Sequence, residues 1–172
     1  MTPTATYISE ACRLYIMLVL TASVAGKATA LEGFRETIGE LFPIPRAWTP
    51  AAALGVIGVE ALIALLLLAG SEWARLGMVA ALALFGVFTA VIIVALVQRR
   101  AVNCNCFGGR SHVISAHDLV RNATLIAASG AYFLGGPVAG GLGWADYLLL
   151  FGVAVIVVLI STNLDDIVLL LR

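Results

Sequence analysis

The sequence predicts an all-α membrane protein, a polytopic bundle of four to five transmembrane helices in a single domain, residues 1–172. Hydrophobic residues make up 62% of the chain and charged residues only 12%, against roughly 45–50% and about 25% in soluble domains. The mean hydropathy is +1.05. Several windows hold the ~20 apolar residues that a membrane crossing requires. The formal net charge is zero, so no basic surface for nucleic acid is expected.

Four or five windows qualify as spans by length and apolar content. A helix satisfies its own backbone hydrogen bonds in the bilayer core, which makes it the expected structure of each window. No regular alternation of the kind found in membrane β-barrels is present. The predicted spans cover about residues 12–30, 48–69, 74–97, 115–134 and 144–162.

A shorter amphipathic helix is predicted after the first span. Apolar residues recur at helical spacing from Leu31 to Phe42, with acidic and basic residues on the opposite face, and Pro43 and Pro45 end the pattern. Such a helix typically lies in the membrane interface. The alternative is an ordinary amphipathic helix packed on protein. The predicted apolar face consists of Leu31, Phe34, Ile38, Leu41 and Phe42.

The segment 99–114, between the third and fourth spans, contains the strongest chemical signal, the pair Cys104 and Cys106. A disulfide between two cysteines separated by one residue closes a small ring under strain, so it should be easily reduced. Because the closed loop is tiny, the bond would add little stability. The pair is therefore predicted to be a redox centre rather than a structural crosslink.

The neighbouring residues favour the reactive thiolate form. Arg99, Arg100, Arg110 and His112 lie close in sequence, and Ser115 can cap the start of the fourth span. Nearby cations and the positive end of a helix stabilise a thiolate. Two alternatives remain open at this point: idle thiols in a turn, and a Cu(I) or Zn site formed by the two cysteines with His112.

Charged and polar residues inside the spans form a second candidate site. Glu60 falls well within the second span, and an intramembrane carboxylate is a functional-site hypothesis by default. His117 and Arg121 are four residues apart and share a helix face, with Asn122 on the adjacent stripe. Lys27 lies near the same end of the first span. These five residues are predicted to support the cysteine pair as a polar cluster beneath the cysteine segment.

Structural explanations compete with this hypothesis. The charges could form a balanced network that holds helices together. Lys27 alone could extend its side chain to the interface. Cys12 is placed at the opposite end of the bundle, where a lone cysteine is usually just a small apolar residue.

The chain resembles the MauE/DoxX-like family of redox-associated membrane proteins, named for methylamine utilisation, over about residues 10 to 130. The family usually has Gly between the two cysteines, where this chain has Asn105. The resemblance rests on Gly26-Lys27, the Phe34 region, the Pro43 turn, Glu60 with Leu65–Gly70, the run Cys104 to Gly108, and Arg121-Asn122.

The resemblance implies a helical membrane protein that works with a thioredoxin-like partner to form or maintain disulfides in exported proteins. It implies that Cys104 and Cys106 are the redox pair, and it matches Lys27, Glu60 and the Arg121-Asn122 pair only as polar positions. With one usable cysteine pair, electrons would pass directly to a quinone or to a second protein. No other cofactor and no resident metal is expected.

The functional hypothesis is therefore a membrane thiol–disulfide oxidoreductase that exchanges disulfides through a mixed-disulfide intermediate. The alternatives are a non-enzymatic assembly factor or anchor for a redox partner, and a Cu(I)-binding membrane protein. Lipid, a thioredoxin-fold protein and a quinone are the expected partners.

Two arguments predict opposite orientations of the chain in the membrane. Most of the Lys and Arg residues fall on the cysteine side, and only Arg13 and Arg75 on the other. The positive-inside rule would place the cysteines in the cytoplasm, where disulfides are normally kept reduced. Several of those charges belong to the candidate sites themselves, so we expect the cysteine segment to face outward from a bacterial inner membrane.

Overall fold

The computed structural model describes residues 3–42, 44–69, 71–98, 103–104, 112–113, 116–135 and 143–162. These residues form six helices and one pair of short antiparallel strands, which confirms the predicted polytopic helical bundle. The elements are α1 (Pro3–Thr29), α2 (Leu31–Leu41), α3 (Thr49–Leu68), α4 (Ser71–Val97), β1 (Asn103–Cys104), β2 (His112–Val113), α5 (Ala116–Leu134) and α6 (Trp144–Thr162).

Four of these helices are long and apolar enough to cross a membrane: α1, α3, α4 and α6. Large apolar side chains such as Leu62, Leu65 and Ile156 are more than half exposed on their outer faces. A soluble protein rarely exposes so continuous an apolar surface, whereas lipid tails solvate it without cost. The chain is therefore an integral membrane protein.

The fourth predicted span forms a helix, α5, but α5 is not among the four helices apolar enough by composition. Its polar residues explain the difference, because Asp118, Asn122 and Ser129 are buried inside the bundle rather than exposed to lipid. With 19 residues, α5 extends over ~28 Å at 1.5 Å per residue. It packs along α1 and α4 and ends where Gly135 approaches the Ala5 carbonyl of α1.

Helix α1 begins at Pro3, nine residues before the predicted start of the first span. Polar residues in this first part made it look unlike a span, but the bundle satisfies them. Ser9 Oγ donates to the Tyr132 carbonyl at 3.0 Å. Arg13 pairs with Glu10 at 2.6 Å and donates to the Leu67 carbonyl at 3.0 Å. Cys12 consequently lies inside α1 as a free, half-buried thiol.

Helix α1 is central, since α3, α5 and α6 all pack against it, while α4 packs on α3 and α5. The main core lies between these helices. Among its most buried members are Ile16 and Leu20 of α1, Leu67 of α3 and Met78 of α4. Helices α3 and α4 pack closely, because a Cβ at Gly77 of α4 would lie 3.0 Å from the Leu66 Cβ of α3.

Helix α2 follows α1 after one residue, as the amphipathic pattern predicted, and packs on α3. Phe34 and Ile38 are buried against Ala53 of α3. On the other face, the Glu32 side chain is 84% exposed and pairs with Arg35 at 2.7 Å. The apolar face of α2 therefore covers the helix bundle at the end where α1 stops.

Candidate functional site

The centre of the candidate site is an ion pair between Lys27 of α1 and Glu60 of α3. Each side chain is only 1% exposed. Ser23, one turn before Lys27, completes the group: its Oγ accepts a hydrogen bond from Lys27 Nζ at 3.0 Å and donates one to Glu60 Oε2 at 3.2 Å. Lys27 Nζ also donates to Glu60 Oε1. Both carboxylate oxygens of Glu60 are thus engaged.

Two aromatic rings approach the Lys27 ammonium. Its Nζ lies 5.2 Å from the ring centroid of Phe34 in α2 and 5.2 Å from that of Phe88 in α4. A cation within about 6 Å of a ring centroid is attracted by the negative face of the ring. The lysine is therefore stabilised by groups from four helices, and it does not extend to the interface. That alternative reading of Lys27 is wrong.

Helix α5 contributes the other wall of the site. Asn122 Nδ2 donates to the Phe85 carbonyl at 2.7 Å and to Thr89 Oγ1 at 2.6 Å, both in α4. Because a carbonyl can only accept, these bonds identify the Asn122 nitrogen and leave its Oδ1 on the other side. Asp118, one turn earlier and buried, accepts a hydrogen bond from Arg121 at 3.0 Å.

These groups surround one cavity of about 380 Å³ enclosed by α1 to α5. Small-molecule sites in proteins typically have volumes of about 300–1,000 Å³, mostly apolar walls and a few polar groups. The walls here fit that description. The polar lining residues are Ser23, Lys27, Glu60, Asp118, Arg121 and Asn122.

The structure therefore brings four of the five predicted polar residues to one cavity: Lys27, Glu60, Arg121 and Asn122. It does not bring His117 there. His117 is exposed and does not line the cavity. Neighbouring stripes on a helix point about 100° apart, and the stripe of Asp118 and Asn122 faces the bundle. Arg121 lies at the edge between the two stripes, with its side chain 14% exposed.

The cysteine segment is described only in part. Cys104 lies in β1, where it pairs with His112 of β2 in antiparallel register. This strand pair was not predicted from the sequence. Strand β1 lies beside α2. Cys106 and Ser115 lie outside the described residues. Within the described ranges, no group of three or more His, Cys, Asp or Glu side chains is placed to hold a metal ion.

Several members of the site were not predicted from the sequence. Ser23 precedes Lys27 by four residues, so helical spacing could have indicated their contact. Phe34 was assigned only to the apolar face of α2, and Phe88 and Thr89 only to a span. Nothing in the sequence distinguishes these two residues of α4 from their neighbours. Their roles depend on how α4 is rotated against α1 and α5.

Comparison with known proteins adds one positive finding. The family model described as methylamine utilisation protein MauE matches residues 5–135. The match begins in the first turns of α1 and ends just after α5, so it includes every residue of the cavity and the cysteine segment. No curated protein matches the chain, and no solved structure matches it. Because the family model covers well over half of the sequence, the chain belongs to the MauE family of membrane proteins.

Proposed function

We propose that the protein is a membrane thiol–disulfide oxidoreductase in which Cys104 and Cys106 form the reacting pair. The proposal rests on one observation: two cysteines one residue apart lie in the segment between α4 and α5 of a MauE-family membrane protein. The first of them is held in β1, opposite His112 and beside α2. The short strand pair fixes the backbone position of Cys104. A fixed position favours thiol–disulfide exchange with a partner protein.

The reaction follows ordinary thiol–disulfide exchange. A thiolate of a thioredoxin-fold partner attacks one sulfur of the Cys104–Cys106 disulfide and forms a mixed disulfide, while the other sulfur leaves as a thiolate. The second thiol of the partner then attacks the mixed disulfide. The partner ends as a disulfide and the pair as two thiols, so two electrons have moved to this chain. The reverse sequence reduces the partner.

Trapping the mixed disulfide tests the proposal. A Cys104→Ser variant and a Cys106→Ser variant each keep one sulfur, and a covalent intermediate with either cannot resolve within the chain. We expect one of them to accumulate a reductant-sensitive adduct with a thioredoxin-fold protein, resolved by mass spectrometry of the purified membrane protein. The matched control is Cys12→Ser, which removes a thiol from α1 and should leave disulfide exchange unchanged.

Two outcomes would contradict the redox role. In one, alkylation finds both thiols free under every redox condition and the double serine variant keeps full activity. In the other, a thioredoxin-fold protein co-purifies equally well with the double serine variant, which would indicate a non-enzymatic assembly factor or anchor.

We further propose that the cysteine segment faces the outside of a bacterial inner membrane, since disulfides persist in oxidising compartments. After mild reduction of intact cells, a membrane-impermeant thiol reagent should label Cys104 or Cys106 in the Cys12→Ser background. Labelling that appears only after the cells are lysed would place the segment in the cytoplasm and reverse the orientation.

A further inference from the structure

We propose that the cavity enclosed by α1 to α5 binds the head of a neutral, lipophilic quinone. The cavity lies inside a membrane protein, its volume is about 380 Å³, and most of its lining residues are apolar. A ligand that enters from the bilayer is therefore apolar for most of its surface. The polar groups of the cavity decide which kind of head that ligand carries.

The charges of the lining side chains balance, which favours an uncharged head. Lys27 pairs with Glu60, and Arg121 pairs with Asp118. A fatty acid or phospholipid headgroup would add a negative charge that no surplus cation among the described lining residues offsets. Burying an unpaired charge is expensive, so a neutral head is preferred over an anionic one.

Lys27 and Asn122 also offer a hydrogen-bond donor and an acceptor, respectively. The ammonium of Lys27 has three N–H groups; it donates two, to Ser23 and Glu60, and the third has no acceptor among the described residues. The Oδ1 of Asn122 accepts no hydrogen bond from them either. A quinone carbonyl accepts from a lysine, and the hydroxyl of the reduced quinol donates to an amide oxygen. The cavity can therefore bind both redox forms.

An apolar route leads from the cavity to the outer surface of the bundle. Val87 and Phe42 line the cavity and are themselves exposed, 59% and 41%. A second cavity of about 230 Å³ adjoins it between the end of α2 and α4. The two share Leu41, Phe42 and Val91. This second cavity is a suitable path for an isoprenoid tail toward the lipid.

The cavity shares helix α2 with the strand that carries Cys104, so a bound quinone can accept electrons from the cysteine pair. This step depends on the proposed function. Helix α2 supplies Phe34, Ile38 and Leu41 to the cavity, and β1 with Cys104 lies beside α2. In the balanced step, the Cys104 and Cys106 thiols become a disulfide and the quinone becomes a quinol. Two S–H bonds break, one S–S and two O–H bonds form, and two electrons pass to the quinone.

Binding can be measured on the purified full-length protein in detergent by calorimetric titration with a decyl-substituted benzoquinone. Two comparison ligands have alkyl tails of similar length: dodecanoate carries a carboxylate, and decylbenzene has no oxygen. We expect saturable binding of the quinone, and weaker binding of both comparison ligands by about tenfold or more, because each lacks a neutral carbonyl head.

Two valines of α3 provide a matched pair of variants. Val56 lines the cavity, whereas Val59 is 47% exposed on the outer surface and does not line it. Val56→Phe fills the cavity and should weaken quinone binding by about tenfold or more, while Val59→Phe should change it less than about twofold. The paired variant Lys27→Met with Glu60→Leu should weaken quinone binding while leaving that of decylbenzene unchanged.

The outcomes separate this proposal from the redox proposal. Tighter binding of dodecanoate than of quinone, or equal affinities for the Val56→Phe and Val59→Phe variants, would overturn the quinone site. The Cys104→Ser, Cys106→Ser double variant should bind quinone like the parent protein. If the parent binds quinone at this cavity but its reduced cysteines never convert it to quinol, the binding site stands and the electron-transfer step fails.

Discussion

Replacing Glu60 with leucine should lower the free energy of unfolding by about 3–5 kcal/mol, the usual cost of leaving a buried charge without its partner. The Lys27 and Glu60 side chains are each 1% exposed, so removing one of them leaves the charge of the other buried without its partner. Reversible unfolding of the protein in mixed micelles measures the change.

The double variant Lys27→Met, Glu60→Leu separates the effect of the unpaired charge from the effect of losing the glutamate itself. Adding Lys27→Met to Glu60→Leu removes both charges, and replacing a buried ion pair with apolar residues is often neutral or stabilising. We therefore expect the double variant to be more stable than the Glu60→Leu variant. Glu36→Leu, at an exposed position of α2, is the control and should change stability by less than about 0.5 kcal/mol. A loss below about 1 kcal/mol for Glu60→Leu would show that Lys27 does not depend on this partner.

Replacing Gly135 with alanine should destabilise the protein by about 1–3 kcal/mol, as expected when an atom is forced into a filled space. An added Cβ would lie 2.5 Å from the Ala5 carbonyl oxygen and 2.6 Å from the Ser9 Cβ. The first of these contacts is with backbone, so α1 and α5 must move apart. That movement would also disturb the bond from Ser9 to the Tyr132 carbonyl.

A second glycine near the end of α5 is the matched control. A Cβ at Gly130 would meet nothing within 4 Å, and alanine is preferred over glycine inside a helix by about 0.5–1 kcal/mol. Gly130→Ala should therefore leave the unfolding free energy unchanged or raise it. Equal effects of Gly130→Ala and Gly135→Ala would mean that the close contact of α5 with α1 does not contribute to stability.

Most helices could be predicted from the sequence, because a run of about 20 apolar residues is long enough to cross the membrane and must form a helix there. The exceptions occur where polar residues lie in a helix and are satisfied by tertiary contacts. The first nine residues of α1 were missed because Glu10 resembles a solvent-exposed residue until its partner Arg13 is placed beside the Leu67 carbonyl. Likewise, α5 is a full-length helix although its polar stripe makes it less apolar than the four candidate spans.

Most polar residues of the candidate site could be predicted from the sequence, but their arrangement around the cavity could not. Spacing placed Lys27, Glu60 and Asn122 at one end of the bundle, because helix rise fixes depth. It could not determine which stripe of α5 faces inward, since that depends on the Phe85 carbonyl and Thr89 of the neighbouring α4. His117, which was predicted to join the polar cluster, therefore lies outside the cavity. The strand pair at Cys104 has only two residues in each strand, too few for an alternating pattern to show.

Helix α6 differs from the other five helices in two respects. The family match stops at residue 135, and α6 supplies none of the residues that line the cavity. It packs on α1, and its most buried apolar residues are Leu150, Ala154 and Val158. The first five helices and the connection between α2 and α3 thus supply the whole described lining of the cavity. Substitutions on the lipid-facing side of α6, including ones that create a contact with another membrane protein, should therefore leave the lining of the cavity unchanged.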